Sequence, residues 1–256
     1  MSLFLNQILY NNNTKFESFE SIKLFEPYMY VKYIDTQIEP PLPVMNKIEC
    51  LQIPKNQNVI SPKNMDTLFW CMYIAKNEYG EYLNIGSKYK NKEIEIKQGM
   101  IEIIKKNPGI LKTTPRKITN VAIQEIMAEL MIDKKTSFKT FFAMCVLNAL
   151  NIYIVDTTTQ TVLPFHYNDS NHSYIFYRSV DGFFSIDIEE ATIEKIQEIK
   201  SKYIELEHGD RPIKTITAYK VAELETILKQ FGSWSETTKY KKQDLYDEIL
   251  TKCIWK

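Results

Sequence analysis

Glycine is scarce: the 256-residue chain has seven. That shortage excludes sites that cradle phosphates with glycine backbone, and no phosphate loop, dinucleotide G-x-G-x-x-G, kinase set or serine-hydrolase elbow is present. Arginine is scarcer still, with Arg116, Arg178 and Arg211 the only three among 32 basic residues. Cysteine is limited to Cys50, Cys71, Cys145 and Cys253, and none forms a C-x-x-C pair. A zinc ribbon or finger is therefore excluded. Cys71 and Cys145 sit in apolar runs, which suits buried free thiols and a reducing compartment. Charge of either sign is not in excess, 32 basic against 32 acidic residues, so the chain as a whole is no histone-like polycation. No apolar run is long enough for a membrane span, and MSLFLNQILYNNN lacks the charged start and cleavage site of a signal peptide. The expectation is a soluble, intracellular protein without a membrane partner.

What is present reads as an α+β chain. A strand is predicted at Met29–Ile34 and a stiff connector at Glu39–Pro43, where three prolines fix φ and remove donors. A further short strand is predicted over 47–53. The run Asn64–Lys76 predicts a strongly apolar helix after Asp66 as cap, and 92–106 a second helix stopped by Asn107-Pro108-Gly109. Helices follow at Thr119–Met131 and after a Ser137 cap. The β-branched run NIYIVD then predicts a buried strand. Strands are expected at Thr161–His166, Ser173–Arg178 and Gly182–Ile188, the last two joined by an Asp181-Gly182 hairpin turn. A helix over 191–203 closes this body, residues 1–207. Gly, Pro and mixed charges at 207–214 mark a boundary, and 212–256 reads as helix, loop, helix.

Two constellations carry possible chemistry. A cysteine hydrolase needs a thiolate near a helix N-terminus and a histidine on a later strand, oriented by a carboxylate or amide. Cys71 lies on the early apolar helix, His172 begins the SYIFYR strand, and Asp187 or Asp181 lies on or beside the next. The chain order fits. His166, Asp169 and His172 read H-x-x-D-x-x-H, yet nothing else supplies the second shell a metal needs. No metal and no cofactor are expected.

The run Asp66-Thr67-Leu68-Phe69-Trp70-Cys71 resembles the D-x-LFWC-x-YI segment of uncharacterised proteins of giant nucleocytoplasmic DNA viruses. More remotely it resembles the D-G-x-C-L-F nucleophile segment of ovarian-tumour (OTU-like) deubiquitinases. Lys139–Val155 is similar to the helix and strand that precede the catalytic histidine strand in that family. The resemblance covers roughly residues 60–180 and implies a papain/OTU-like body with a small sheet. It also carries a departure. Setting Leu68-Phe69 on the family's L-F places Thr67 at the nucleophile and Asn64 at the leading Asp, with Cys71 one turn further on. A threonine there, with no adjacent base, is a poor nucleophile, so the resemblance implies a degenerate site.

The second constellation is the C-terminal pair of amphipathic stripes, Val221, Leu224, Ile227, Leu228 and Phe231, then Leu245, Tyr246, Ile249 and Leu250. With Lys241-Lys242-x-Asp244-Leu245 it resembles the SAP-type and Rho-N-terminal-type helical module. The resemblance implies backbone contacts to DNA by Lys220, Lys239, Lys241 and Lys242, where unpaired amides and lysines make an anion site. Residues 211–256 hold nine basic and six acidic side chains, a net +3, which leaves 1–210 at −3.

The expectation is therefore a non-catalytic viral protein, a binding, virion or factory component in host cytoplasm or virion. Its body would contact an unknown protein, and its C-terminal module nucleic acid, non-specifically. Two other readings stand beside it. One is an active cysteine hydrolase, deubiquitinase- or protease-like, using Cys71, His172 and Asp187. The other is a capsid or scaffold protein.

Overall fold

Side-chain caps start four of the eight helices among the described residues. Asp66 accepts from the backbone N–H of Phe69 at the head of α1 (Thr67–Asn84), Thr119 from Ala122 at α4 (Asn120–Ile132) and Ser137 from Thr140 at α5 (Phe138–Asn148). Thr192 does the same for α6 (Ile193–Lys202), accepting from Lys195. Each satisfies an amide that the first helical turn leaves open. Between α1 and α4 lie α2 (Tyr89–Lys106) and the short α3 (Gly109–Lys112), with Asn107-Pro108 ending α2 as the sequence predicts. The chain closes with α7 (Val221–Gln230) and α8 (Lys242–Cys253).

The computed structural model describes residues 58–169, 171–233 and 240–255. All belong to one compact unit, Glu49–Lys256. The strands predicted at 29–34 and 47–53 and the connector at 39–43 lie outside the described residues.

The sheet is mixed and six-stranded, in the order β1-β5-β4-β2-β3-β6. Its strands are β1 (Val59–Ile60), β2 (Leu150–Asp156), β3 (Thr161–Phe165), β4 (His172–Arg178), β5 (Phe184–Asp187) and β6 (Ile204–Glu205). The central pair, β2 and β4, runs parallel, and β3 and β5 flank it antiparallel. β2 is buried along its whole length, as a β-branched run between two neighbours and two covered faces requires. Ala149, at φ 54°, turns the chain from α5 into β2 in a single residue. The predicted hairpin joins β4 to β5, with Gly182 at φ 77° and the Gly182 N–H donating to the Ser179 carbonyl.

Alternation sorts the sheet into two faces. Ile152, Ile154, Leu163, Phe165, Phe176 and Ile186 point into the main core; Tyr153, Val155, Val162, Ile175 and Tyr177 form the other face, against Ala191 and Ile199. Against the main face lie two helices apolar on all sides: Thr67–Ala75 of α1 and Thr140–Val146 of α5 are buried without interruption. Such helices belong inside.

The structure departs from the sequence reading in two places. α1 runs past Lys76 and breaks at Glu78, whose φ of 68° and ψ of 158° are not helical. The edge strands β1 and β6 have two residues each, too few to carry a pattern. The boundary expected at 207–214 lies within the unit Glu49–Lys256, and Leu206, Ile213, Leu224, Leu228, Leu245 and Ile249 belong to the cluster that holds Phe165 and Phe176.

Candidate functional site

Cys71 occupies the second turn of α1 and faces inward, fully buried. Burial pushes its thiol well above the ordinary value, and the charge of Asp66 adds to the effect. A thiol held protonated and shut from solvent is a core side chain rather than a nucleophile. Thr67, where the family motif would put the nucleophile, sits in the first turn beside β5. Its hydroxyl accepts the backbone N–H of Phe184 at 2.9 Å and is itself buried.

His172 begins β4 and is largely exposed, with Nδ1 2.9 Å from Glu190 Oε1. Asp187 ends β5 and is buried. Its Oδ2 accepts from Lys195 Nζ at 2.6 Å, and Oδ1 accepts the N–H of Glu189. Each of the three predicted residues thus has its own partner or its own burial, and no hydrogen bond links any two of them. Asp181 lies in the exposed hairpin turn. His166 pairs locally with Asp169 at 3.0 Å. Among the described residues, no group of three or more His, Cys, Asp or Glu is placed to hold a metal ion. Nor is any described helix long and apolar enough to cross a membrane.

At the other constellation, Lys220 and Lys241 are the N-caps of α7 and α8, both exposed, and Lys242 follows, partly exposed. Lys239 lies outside the described residues. Each cap position is closed by an acid three residues on. The N–H of Lys220 donates to Glu223 at 2.7 Å, and that of Lys241 to Asp244 at 3.2 Å. These carboxylates stabilise the helix starts. They also occupy part of the positive end that a phosphate would use. α7 and α8 pack through Leu224, Leu228, Leu245 and Ile249, and Trp255, just beyond α8, reaches the sheet.

Trp255 belongs to a polar cluster that the motif search passed over. Its indole N–H donates to Thr161 at 2.8 Å, and the Arg178 guanidinium lies 5.4 Å from its ring. Arg178 in turn binds Asp156 at 2.8 Å. The available signal was the rarity of arginine. Arg116 is used the same way, 4.7 Å from the Phe142 ring centroid and donating to the Pro164 carbonyl at 3.1 Å. In a lysine-rich chain, arginine appears where a planar cation must stack and hydrogen-bond at once.

No family model, curated protein or solved structure matches the chain.

Proposed function

We propose that this chain is a non-catalytic binding protein: a degenerate papain/OTU-like body that makes protein contacts, and a terminal SAP-like helix pair that touches nucleic-acid backbone. The viral setting suggested by the Asp66–Cys71 segment belongs to the same proposal. The observation that carries the first half is the state of the hydrolase residues. Cys71 is sealed in the core, Thr67 spends its hydroxyl on the Phe184 amide, and Asp187 is committed to Lys195. The second half is supported by Lys220, Lys241 and Lys242 at exposed helix starts on a +3 segment. Glu223 and Asp244 at the same starts weaken the field there, so contact is to backbone, weak and without sequence preference.

Fluorescence anisotropy of the full chain with labelled duplex DNA and single-stranded RNA at low salt tests this. Binding should fall with salt at a logarithmic slope of about −3, as three or four phosphate contacts require. Lys241→Glu with Lys242→Glu should remove it without changing the melting temperature. No binding at low salt, or binding indifferent to the double variant, overturns the nucleic-acid half.

A further inference from the structure

Between the second half of α1 and the start of α2 lies an open cavity that none of the preceding readings uses. Its volume is ≈ 320 Å³, and Tyr73, Glu81, Asn84, Lys88 and Asn91 are among its lining residues. That size suits a small metabolite. Glu78 holds a backbone conformation that glycine favours, and the residues that follow it, Glu81 and Asn84, supply one wall. Lys88 and Asn91, at the start of α2, supply another.

Tyr73 is the informative residue. It is only 7 % exposed, and its ring meets Trp70 at 5.4 Å between centroids. Yet its phenol has no hydrogen-bond partner among the described residues. Tyr73 lines the cavity together with Lys92, Glu81 and Glu95. Burial raises its pKa, which keeps it a donor at neutral pH. The hydroxyl thus opens to the cavity as a donor that no protein group among the described residues occupies, and a ligand that pairs it gains a hydrogen bond.

The charges around it divide evenly. Lys92 is tied to Glu95 at 2.9 Å. Lys88 and Glu81 have no ion-pair partner among the described residues, so the cavity offers one open cation and one open anion. Asn84 and Asn91 can each donate and accept. The Tyr73 ring and Ile85 add apolar surface. A simple anion or a simple cation would leave one of the two charges facing it unfavourably.

We infer that this cavity binds a small zwitterion of the free α-amino-acid class, its ammonium toward Glu81, its carboxylate toward Lys88 and a polar atom completing the Tyr73 phenol.

The test titrates the full ¹⁵N-labelled chain with L-leucine, leucinamide and 4-methylpentanoate, following the side-chain amide signals of Asn84 and Asn91. L-leucine should shift both signals saturably. Leucinamide and 4-methylpentanoate, each lacking one charge, should bind about tenfold more weakly, the loss of one charge-assisted contact. Tyr73→Phe keeps the ring and the fold and should weaken L-leucine about threefold or more, the value of a neutral hydrogen bond. Absence of saturable shifts with L-leucine, equal affinity for all three compounds, or unchanged affinity in Tyr73→Phe overturns the inference.

Discussion

Arg178 and Asp156 end neighbouring parallel strands as register partners, and their side chains close on each other at 2.8 Å with almost no solvent access. Asp156 also accepts the backbone N–H groups of Thr158 and Thr159, at 2.8 and 3.1 Å. The carboxylate thus shapes the turn into β3 while it neutralises the arginine. On the arginine's far side stands Trp255, which hydrogen-bonds Thr161, the residue opposite Asp156 on β3. Three strands and Trp255, two residues past α8, meet at one charge pair.

Asp156→Ala takes the carboxylate from a buried guanidinium and the acceptor from the Thr158 and Thr159 amides, and should cost about 3–5 kcal/mol, the usual penalty for breaking a buried pair. Arg178→Met, which leaves the carboxylate its two amide donors, should cost less. Urea unfolding of both variants checks the order. A cost below about 1 kcal/mol for Asp156→Ala, the range of a surface pair, would show that water reaches the site.

Trp255 is the residue that fastens the terminal helices to the sheet. Phe138 meets its ring edge-on at 5.6 Å, and Arg178 and Thr161 hold its other contacts. Trp255→Ala should lower stability by about 2–3 kcal/mol, at or below the usual range for a buried aromatic because the residue is partly exposed. The loss should be local first. Hydrogen exchange should speed up in α8 and at the start of β3 while β2 stays protected. Uniform acceleration across the sheet would mean that Trp255 belongs to the global core instead.

Much of this fold was legible locally. Ser137 and Thr119 announce helix starts because a short hydroxyl side chain can reach an open amide within its own turn. Asn107-Pro108 announces a stop, and Asp181-Gly182 a hairpin, because φ is fixed or freed at those residues. NIYIVD reads as a buried strand from its branching alone. The break at Glu78 carries no such mark: no proline is near, Gly80 lies two residues beyond, and the strained residue is a glutamate. The two-residue strands β1 and β6 exist only through their partners β5 and β3. The same division holds at the site. Cys71 was legible as a thiol in an apolar run, but the commitment of Asp187 to Lys195 depends on how α6 lies across the sheet. Arg178 meeting Trp255 is a contact between residues far apart in sequence, and no local pattern encodes it.

Asp66 does two jobs at once. As the α1 cap it takes the Phe69 N–H on one oxygen. On the other it takes the Thr136 N–H at 3.0 Å, the Thr136 hydroxyl at 2.7 Å and Lys97 Nζ at 3.4 Å. Lys97 is itself buried, with Glu93 at 2.6 Å as its other partner. Asp66→Asn should keep the cap and lose the charge; Asp66→Ala should lose both. The expected costs are about 1–3 and about 3–5 kcal/mol, from the hydrogen-bond and buried-pair ranges. Thermal unfolding separates them. If Asp66→Asn costs as much as Asp66→Ala, the charge on Lys97 outweighs the cap; if it costs nothing, Glu93 alone suffices for the lysine.

The buried cysteines should lower stability at alkaline pH. Cys71, Cys145 and Cys253 are free and buried, and burial raises all three thiols, Cys253 to about 12. In the unfolded chain a thiol ionises near pH 8.5–9. Between that value and about 12 the unfolded state therefore holds fewer protons at Cys253 than the folded state does. Stability from this thiol is full below the unfolded pKa and is lost as pH rises toward the folded one. One such group contributes a slope of at most about 1.4 kcal/mol per pH unit. Tyr82, Tyr153 and Tyr177, whose phenols burial also raises, add in the same direction at higher pH. Urea unfolding from pH 7 to 10.5 should show stability level at first and then falling above pH ~9. Cys253→Ala should fall less steeply over the same range, whatever its stability at pH 7. Parallel curves would mean that Cys253 ionises in the folded chain as it does in the unfolded one. Native-state alkylation at pH 8 gives a second reading: the three thiols should react only as fast as the chain opens, and adding urea should release them together.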